Sequence, residues 1–365
     1  MELNDIMKTI AQAKRAAQGS LTKTVAIHGG LAVEAPGFSA LFAQPEILCE
    51  KGEGYKVANP GALSRFLEIV PGARVHSLGN GRIEIRASRF RAVLAAAQEQ
   101  DYQVRIRKTD AHVALQYPQQ LVDAINGGAL FMAQQLFIHE GRVVAVTQTG
   151  AAAYVAKIGQ ELPFPVAIAQ GTVKKIQEIW PSKGPNKGFV SPGSLLLAND
   201  DTWVQFRLLE DPDKEYLDAP KSVLQTVKMA ETTQSQGEVP ATELQRAVAM
   251  MAAVADVEDV DTDNAEEQKA RAKRVRTTAV FLALSEGCLK VHTLDGEVQM
   301  ESALSGEFAQ VKVNLRFLSD ACKVLAKRTI KVVLGQVSGL AIPHITLSTQ
   351  DLATTIIVAG LRDDA

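Results

Sequence analysis

Residue types that catalyse reactions or bind metals are present in this chain, but their spacing builds no recognisable site. The six histidines occur singly, and no cysteine or histidine pair has the spacing of a zinc site. The phosphate-binding sequence GxxxxGK(S/T) and the GxSxG motif of serine hydrolases are both missing. The pair Asn80-Gly81 follows a single glycine, which predicts a hairpin turn and not a dinucleotide-binding loop. We therefore predict that the protein is not an enzyme and uses no cofactor or metal.

One acidic stretch imitates a calcium-binding loop. Aspartates alternate with other residues from Asp259 onward, but an EF-hand needs glycine at its sixth position and glutamate at its twelfth. Those positions hold Asn264 and Ala270, so calcium binding is not predicted. The stretch belongs to residues 256–278, which are acidic first and basic afterwards. Two interpretations stay open: an exposed loop of self-neutralising charge, and a basic arm that contacts DNA or a partner.

The composition is that of a folded protein with several domains. The chain has 365 residues, of which 46% are hydrophobic and 22% charged, and its net charge is −2. Its longest strongly apolar stretch, residues 247–255, is far shorter than the roughly 20 residues of a membrane span. The N-terminus lacks the apolar region of a secretory signal, and three scattered cysteines fit a reducing compartment. We expect a cytoplasmic protein without a membrane partner.

Three copies of one pattern supply the elements that must position any functional residues. Each copy has a helix followed by strands and then a second helix followed by strands. Asn59-Pro60 is a typical helix start, and the copies begin about 110–125 residues apart, which indicates duplicated domains. We expect α+β domains, each with two helices on one face of a mainly antiparallel sheet, at residues 1–109, 110–222 and 223–365. The predicted helices span residues 4–17, 60–70, 118–134, 171–180, 241–255 and 315–328, and strands follow the fourth helix at 188–198 and 202–209.

Positive charge is concentrated on these predicted helices. They carry eleven basic and six acidic side chains, a sum of +5 in a chain of net −2. A surface that collects the helices would attract a phosphate backbone without recognising base sequence. The alternative is that lysine and arginine are simply good helix formers, and the helix at 118–134 has no basic residue.

Several stretches resemble the bacterial DNA sliding clamp, the β subunit of DNA polymerase III. Residues 313–321 with Val324-Leu325 resemble the family's third-domain helix, and residues 354–358 resemble its terminal strand. Ser88-Arg89-Phe90 matches the family's SRF run, and residues 136–157 resemble the strands that lead to its partner pocket. The resemblance extends along nearly the whole chain as a pattern with few identities, as in a diverged phage or plasmid member.

The resemblance implies a ring with DNA inside it. Two three-domain chains would close head to tail as a homodimer, with helices lining a hole that holds double-stranded DNA and sheets forming the outer wall. Such a clamp tethers the DNA polymerase, is opened by a clamp loader that uses ATP, and hydrolyses nothing itself. The side chains expected to face DNA lie on helices, with Lys23, Lys183 and Lys187 in loops at the helix ends. The helical set is Lys8, Lys14, Arg15, Arg65, Lys174, Lys175, Arg246, Arg316, Lys323, Lys327 and Arg328.

The resemblance also implies two protein-binding surfaces. The ring interface would join Phe90 and Ala92 of one chain to Ala253 and Val254 of the other. At the partner-peptide pocket the family's Thr-Asp-Gly-His-Arg-Leu sequence is replaced by residues 148–153, which keep only the glycine. Such a pocket would accept an apolar peptide anchor without the usual polar contacts. Its expected lining is Gly150, Ala151, Ala153, Tyr154, Val155, Val358, Gly360 and Leu361.

Two other functions stay open. A clamp-like protein that does not encircle DNA, such as a monomeric decoy or an assembly factor of the replisome, would share the fold but lack the pairing of the Phe90 and Val254 surfaces. An unrelated multidomain enzyme would show turnover that depends on a defined residue, although no constellation of carboxylates or nucleophiles indicates one.

Overall fold

The order of helices and strands repeats three times in a computed structural model of the chain. The described residues are 3–19, 21–70, 72–181, 184–209, 214–230, 236–254, 279–285, 287–293, 296–305, 309–326, 328–335 and 343–361. Each copy contains a helix followed by four or five strands and then a second helix followed by three strands. The helices are α1 (Leu3–Ala16), α2 (Pro60–Ile69), α3 (Pro118–Gly128), α4 (Gln170–Ile179), α5 (Lys214–Ala230), α6 (Ala241–Val254) and α7 (Leu315–Val324).

The contacts divide the chain into two compact units. Unit 1 is Met1–Asn126 with Leu162–Asp211, and unit 2 is Gly127–Glu161 with Pro212–Ala365. The second copy of the pattern is therefore shared between the two units. Among the described residues, no helix is long and apolar enough to span a membrane.

Unit 1 is built on a twelve-stranded sheet. Its order is β4-β6-β7-β8-β5-β1-β2-β3-β16-β15-β14-β9, and all neighbours are antiparallel except β4 and β6. The pairing of β3 with β16 joins the first and second copies in one sheet. The strands of unit 1 are β1 (Lys23–Ile27), β2 (Gly30–Ala35), β3 (Phe38–Ala43), β4 (Ile47–Leu48), β5 (Gly54–Val57), β6 (Arg74–Ser77), β7 (Arg82–Ala87), β8 (Phe90–Glu99), β9 (Val113–Ala114), β13 (Val166–Ala169), β14 (Lys187–Ser191), β15 (Ser194–Ala198) and β16 (Thr202–Arg207).

Three helices of unit 1 pack against each other beside this sheet. α1 contacts α2, α4 and the strands β2 and β3. α2 begins as the sequence predicts, because the Asn59 side chain accepts a hydrogen bond from the Ala62 N–H at 3.0 Å and Pro60 takes the first helical position. Its Leu63 and Leu67 are buried, which leaves the opposite side of the helix for polar residues.

Unit 2 contains two antiparallel sheets and the α6–α7 helix pair. One sheet includes the run β10-β11-β12-β25-β24-β23-β17-β21, and the other has the order β20-β19-β18-β22. α7 is capped by Asn314, whose side chain accepts from the Arg316 N–H at 2.9 Å. The strands are β10 (Gln135–His139), β11 (Arg142–Val146), β12 (Ala152–Lys157), β17 (Gln236–Pro240), β18 (Ala279–Ser285), β19 (Cys288–His292), β20 (Glu297–Glu301), β21 (Ala303–Ser305), β22 (Ala309–Asn314), β23 (Thr329–Gly335), β24 (His344–Thr349) and β25 (Thr354–Ala359).

The structure corrects several predicted elements. The predicted strand at 188–198 is two strands, β14 and β15, because the chain turns between Ser191 and Ser194. The helix expected at 118–134 ends at Gly128. The helix expected at 315–328 ends at Val324, so Lys327 and Arg328 lie beyond it and the six helices sum to +3. The 17-residue α5 was not predicted, since Pro220 within it argues against a helix.

Candidate nucleic-acid interface and partner surfaces

The helices of unit 1 expose basic side chains from three neighbouring elements. α4 buries Val173, Ile176 and Ile179 and leaves Lys174 exposed. Arg65 is exposed on α2 in the same way, and Lys8 is exposed on α1. Because α1 packs against both α2 and α4, these cations belong to one group of helices. Neither Arg65 nor Lys174 forms an ion pair with any part of the chain that the structure describes.

Other expected DNA-facing cations are held by the protein itself. Lys14 pairs with Glu68 at 3.1 Å, and the Arg15 Nε donates to the Ala11 carbonyl at 3.1 Å. The Lys175 Nζ pairs with Glu178 at 2.6 Å and donates to the Gln18 carbonyl at 2.9 Å, and it lies 3.3 Å and 3.4 Å from the carbonyl oxygens of Arg15 and Ala16. Lys175 therefore caps the C-terminal end of α1, where a cation is favoured by the helix dipole.

Two lysines expected in loops at the helix ends lie in strands instead. Lys23 is the first residue of β1, where it pairs with Glu99 at 2.5 Å and lies over the Tyr102 ring. Lys187 is the first residue of β14 and pairs with Asp200 at 3.5 Å. Lys183 and Lys327 lie outside the described residues.

A cavity of about 560 Å³ separates the end of α1 from the start of α2. Lys14, Gln18, Asn59 and Arg65 are among its lining residues, and none of the lining residues is acidic. The first turn of α2 adds the positive end of a helix dipole and holds no acidic side chain. This cavity has the charge and the donors that suit a backbone phosphate.

Unit 2 also exposes cations on and after its helices. Arg246 is exposed on α6 and has no ion pair among the residues that the structure describes. On α7, Arg316 and Lys323 both pair with Asp320, at 3.9 Å and 2.8 Å. Arg328 is exposed after α7.

The residues expected at the ring interface lie at two exposed places. Phe90 begins β8 with 63% of its surface exposed, and Ala92 is half-buried. Residues 90–95 of β8 pair with β7, whereas β5 pairs only with residues 96–99, so the outer edge of the first half is open within the described strands. At the end of α6, Ala253 is exposed and Val254 is half-buried.

These two places carry opposite charges. Beside the open edge of β8, Arg89 and Arg91 are exposed. Glu84 is buried beneath this edge and forms ion pairs with Arg91 and Arg86. In unit 2, the end of α6 contacts β20, the edge strand of its sheet, which exposes Glu297 and Glu301.

The residues expected to form the peptide pocket meet where β12 pairs with β25, but they point to two faces. Ala153 and Val155 pair with Ile357 and Thr355 and share one face. Tyr154 lies on the opposite face, as does Val358 through its pairing with Ala152. Tyr154 is buried, and a Cβ on Gly127 would lie 2.6 Å from its hydroxyl oxygen.

Only the end of this expected pocket is accessible. Ala153 and Val155 are themselves buried, whereas Gly150 is exposed and Ala151, Gly360 and Leu361 are half-buried. α5 packs against β11, whose buried Val144 pairs with Val155 and shares its face. The corner formed by residues 150–151 and 360–361 is therefore the part that a partner could reach. Leu224 and Val227, which are three positions apart and both buried, are the local signal that the sequence offers for α5.

The two buried cysteines are poor nucleophiles at neutral pH. Burial raises the pKa of Cys49 to about 11, with a contribution from the charge of Glu53, and burial raises the pKa of Cys322 to about 12. Both therefore stay thiols near neutral pH. No group of three His, Cys, Asp or Glu side chains among the described residues could hold a metal ion.

Solved structures match this fold along almost its whole length, although no protein-family model and no curated protein matches the chain. The DNA polymerase III subunit beta from Pseudomonas aeruginosa gives a TM-score of 0.71 at 12% identity, with 99% of each chain covered. The beta subunit from Thermotoga maritima gives 0.69 at 14% identity, with 99% of this chain and 98% of that chain covered. The sliding clamp from Bacillus subtilis gives 0.68 at 14% identity, with the same coverage. The chain therefore has the three-domain α+β fold of these clamps, as its sequence pattern predicts.

Proposed function

We propose that this protein is a DNA sliding clamp that encircles duplex DNA and tethers a replicative DNA polymerase. The observation that carries the proposal is the clamp fold over 99% of the chain, combined with exposed cations on its helices. Arg65, Lys174 and Arg246 carry the nonspecific attraction to phosphate, and the exposed Lys8 and Arg328 extend it. The protein acts in the cytoplasm as a processivity factor and catalyses no reaction itself.

The ring is a homodimer that closes head to tail, with domains at residues 1–109, 110–222 and 223–365. The open edge of β8 with Phe90 and Ala92 is an unsatisfied row of backbone donors and acceptors, which a strand of another chain would complete. β20 and the end of α6 supply that partner surface, because the acidic Glu297 and Glu301 complement Arg89 and Arg91. A non-encircling decoy would leave this edge unpaired, so the open and charged edge favours the ring.

The polymerase and the clamp loader bind at the corner formed by residues 150–151 and 360–361. Small and apolar residues there fit a short apolar anchor of a partner peptide. Because the His and Arg of the family sequence are alanines here, the peptide is held without side-chain hydrogen bonds from those positions. This predicts a partner motif that relies on apolar residues.

A threading experiment tests encirclement without a clamp loader. The protein is allowed to slide over the free end of a duplex anchored at its other end, and the free end is then blocked with streptavidin. We expect the ring to remain through a wash at about 1 M salt, where exposed charges are screened, and to leave once the duplex is cut. Loss of the wild-type protein in a salt wash at which sedimentation shows the dimer to be intact would exclude encirclement.

The variant Val254→Lys tests the proposed interface in the same experiment. A lysine at the half-buried Val254 introduces an unpaired charge, so we expect monomers in sedimentation and no retention on blocked DNA. The matched control is Thr242→Lys, which places the same charge at the exposed start of α6. A fully dimeric Val254→Lys variant would show that the interface lies elsewhere.

A further inference from the structure

A segment of unit 1 crosses the large sheet without forming a regular strand. Residues 102–112 lie between β8 and β9, and side chains of the sheet hold them in place. The Gln205 Oε1 accepts from the Arg107 N–H at 2.8 Å, and its Nε2 donates to the Arg107 carbonyl at 3.3 Å. The Gln205 side-chain amide thus makes the two hydrogen bonds to the Arg107 backbone that a neighbouring strand would otherwise make.

A cavity of about 600 Å³ opens between this segment and the turn that joins β14 to β15. Arg105, Arg107 and His112 line one side, and Ser191 and Ser194 line the other. No carboxylate is among the lining residues. The lining of the cavity is therefore rich in hydrogen-bond donors and positive charge.

The hydrogen bonds at the base of the cavity fix the direction of its donors. The His112 Nδ1 accepts from the Thr109 N–H at 3.1 Å, so in the neutral ring the proton is on Nε2. That nitrogen lies 3.4 Å from the Ser194 Oγ, which also accepts from the Gln205 Nε2 at 2.7 Å. With both lone pairs of its oxygen engaged, the Ser194 hydroxyl has its own proton to donate, and no described residue takes it.

The two arginines keep most of their donors free. Arg105 and Arg107 are two positions apart, and both are exposed and line the cavity. The Arg105 side chain is 82% exposed, and its only described ion pair is a long one of 4.0 Å to Glu34. The Arg107 Nη2 makes one weak bond, to the Gln103 Oε1 at 3.4 Å. Arg207 pairs with Ser194 across the β15–β16 ladder and adds a third guanidinium on that face.

We propose that this cavity binds the phosphate group of a small phosphorylated molecule. Arg105 and Arg107 line one side of the cavity and Ser194 lines the other, and guanidinium groups form bidentate, charge-assisted hydrogen bonds to phosphate oxygens. A bare phosphate ion would fill a small part of about 600 Å³, a volume typical of sites for whole small molecules. The phosphate is therefore the head of a larger ligand, and a nucleoside diphosphate has the appropriate size.

Calorimetric titration of the full chain with ADP and with inorganic phosphate tests the proposal. We expect saturable binding of ADP and weaker binding of phosphate at the same site, seen as competition between the two. Tighter binding of phosphate than of ADP would overturn the assignment of a larger phosphorylated ligand to this cavity. Absence of saturable heat with both probes would overturn the proposal.

Variants assign the binding to this cavity. We expect Arg107→Gln and Arg105→Gln each to weaken ADP binding about tenfold or more, because each removes a charge-assisted contact. Ser194→Ala should weaken ADP binding several-fold. The urea unfolding midpoints of Arg105→Gln and Arg107→Gln should stay near that of the wild type. The matched control is Arg82→Gln, which removes an exposed arginine from β7. The double variant Arg105→Gln, Arg107→Gln is compared with Arg82→Gln. If both bind ADP with equal affinity, the ligand binds elsewhere and the proposed site is refuted.

Discussion

Glu84 is a buried carboxylate that supports the exposed basic edge of β8. Burial alone would raise its pKa, but the hydrogen bonds and charges of Arg91 and Arg86 outweigh burial and hold the pKa below its ordinary value. Neither arginine loses its exposure through these pairs, since the Arg86 and Arg91 side chains stay more than half exposed. One carboxylate therefore orients two cations at the edge where a second chain is proposed to bind.

The depressed pKa of Glu84 predicts a specific loss of stability in acid. The unfolded chain takes up the proton at a higher pH than the folded chain, so the stabilisation is present above the ordinary glutamate pKa of about 4.3. It is lost as the pH falls through the lower folded pKa. We expect urea unfolding between pH 7 and pH 3 to show a smaller acid-induced loss of unfolding free energy in Glu84→Gln than in the wild type.

Glu50→Gln is the control for this measurement, because Glu50 is exposed and has no ion pair among the described residues. Its pH profile should follow the wild type. Parallel profiles for Glu84→Gln and the wild type would mean that the two ion pairs do not stabilise the folded state.

At the scale of elements, two adjacent lysines on α4 have different roles. Lys175 pairs with Glu178 and reaches the carbonyl groups at the end of α1, whereas Lys174 is exposed and has no ion pair among the described residues. Lys175 thus stabilises the contact between α1 and α4, whereas Lys174 is accessible to an external anion. Sequence position alone does not distinguish them.

This difference predicts separate effects of two similar substitutions. Lys175→Met should lower the free energy of unfolding by about 1–3 kcal/mol, because it leaves the last carbonyls of α1 without a charged donor. Lys174→Met should leave stability within about 0.5 kcal/mol of the wild type and weaken binding to a short duplex at low salt. Urea unfolding and fluorescence anisotropy measure the two effects. Equal stability losses in both variants would contradict the capping role of Lys175.

At the scale of the whole molecule, the proposed ring depends on complementary edges. Arg89 and Arg91 adjoin the open edge of β8, and Glu297 and Glu301 are exposed on the edge strand β20. Attraction between such exposed groups is moderate and is screened by salt. The apolar Phe90 supplies contact area that salt does not weaken.

We therefore expect the homodimer to weaken, but not to vanish, as salt increases. Glu301→Lys should raise the dimer dissociation constant roughly three- to tenfold at low salt, which corresponds to about 1 kcal/mol, and the difference should shrink at high salt. Sedimentation equilibrium measures both constants. Glu243→Lys on the exposed start of α6 is the control, and an equal effect from it would show that net charge and not the β20 edge is responsible.

The sequence by itself determined the features that depend on near neighbours along the chain. Asn59 and Asn314 cap the helices that follow them, as their positions predict, and the Asn80-Gly81 turn joins β6 to β7. The threefold repetition of the element order and the α+β class also follow from local patterns, because periodicity and capping act within a few residues.

Tertiary structure decided which of these residues face outward and what they contact. Ala153, Tyr154 and Val155 are all buried, and α5 packs against the neighbouring strand β11, so only the end of the expected pocket is accessible. Gln205 holds Arg107 although 98 positions separate them in the chain. Such contacts depend on which strands become neighbours in a sheet, and that is set by packing over the whole chain, which local residue patterns do not encode.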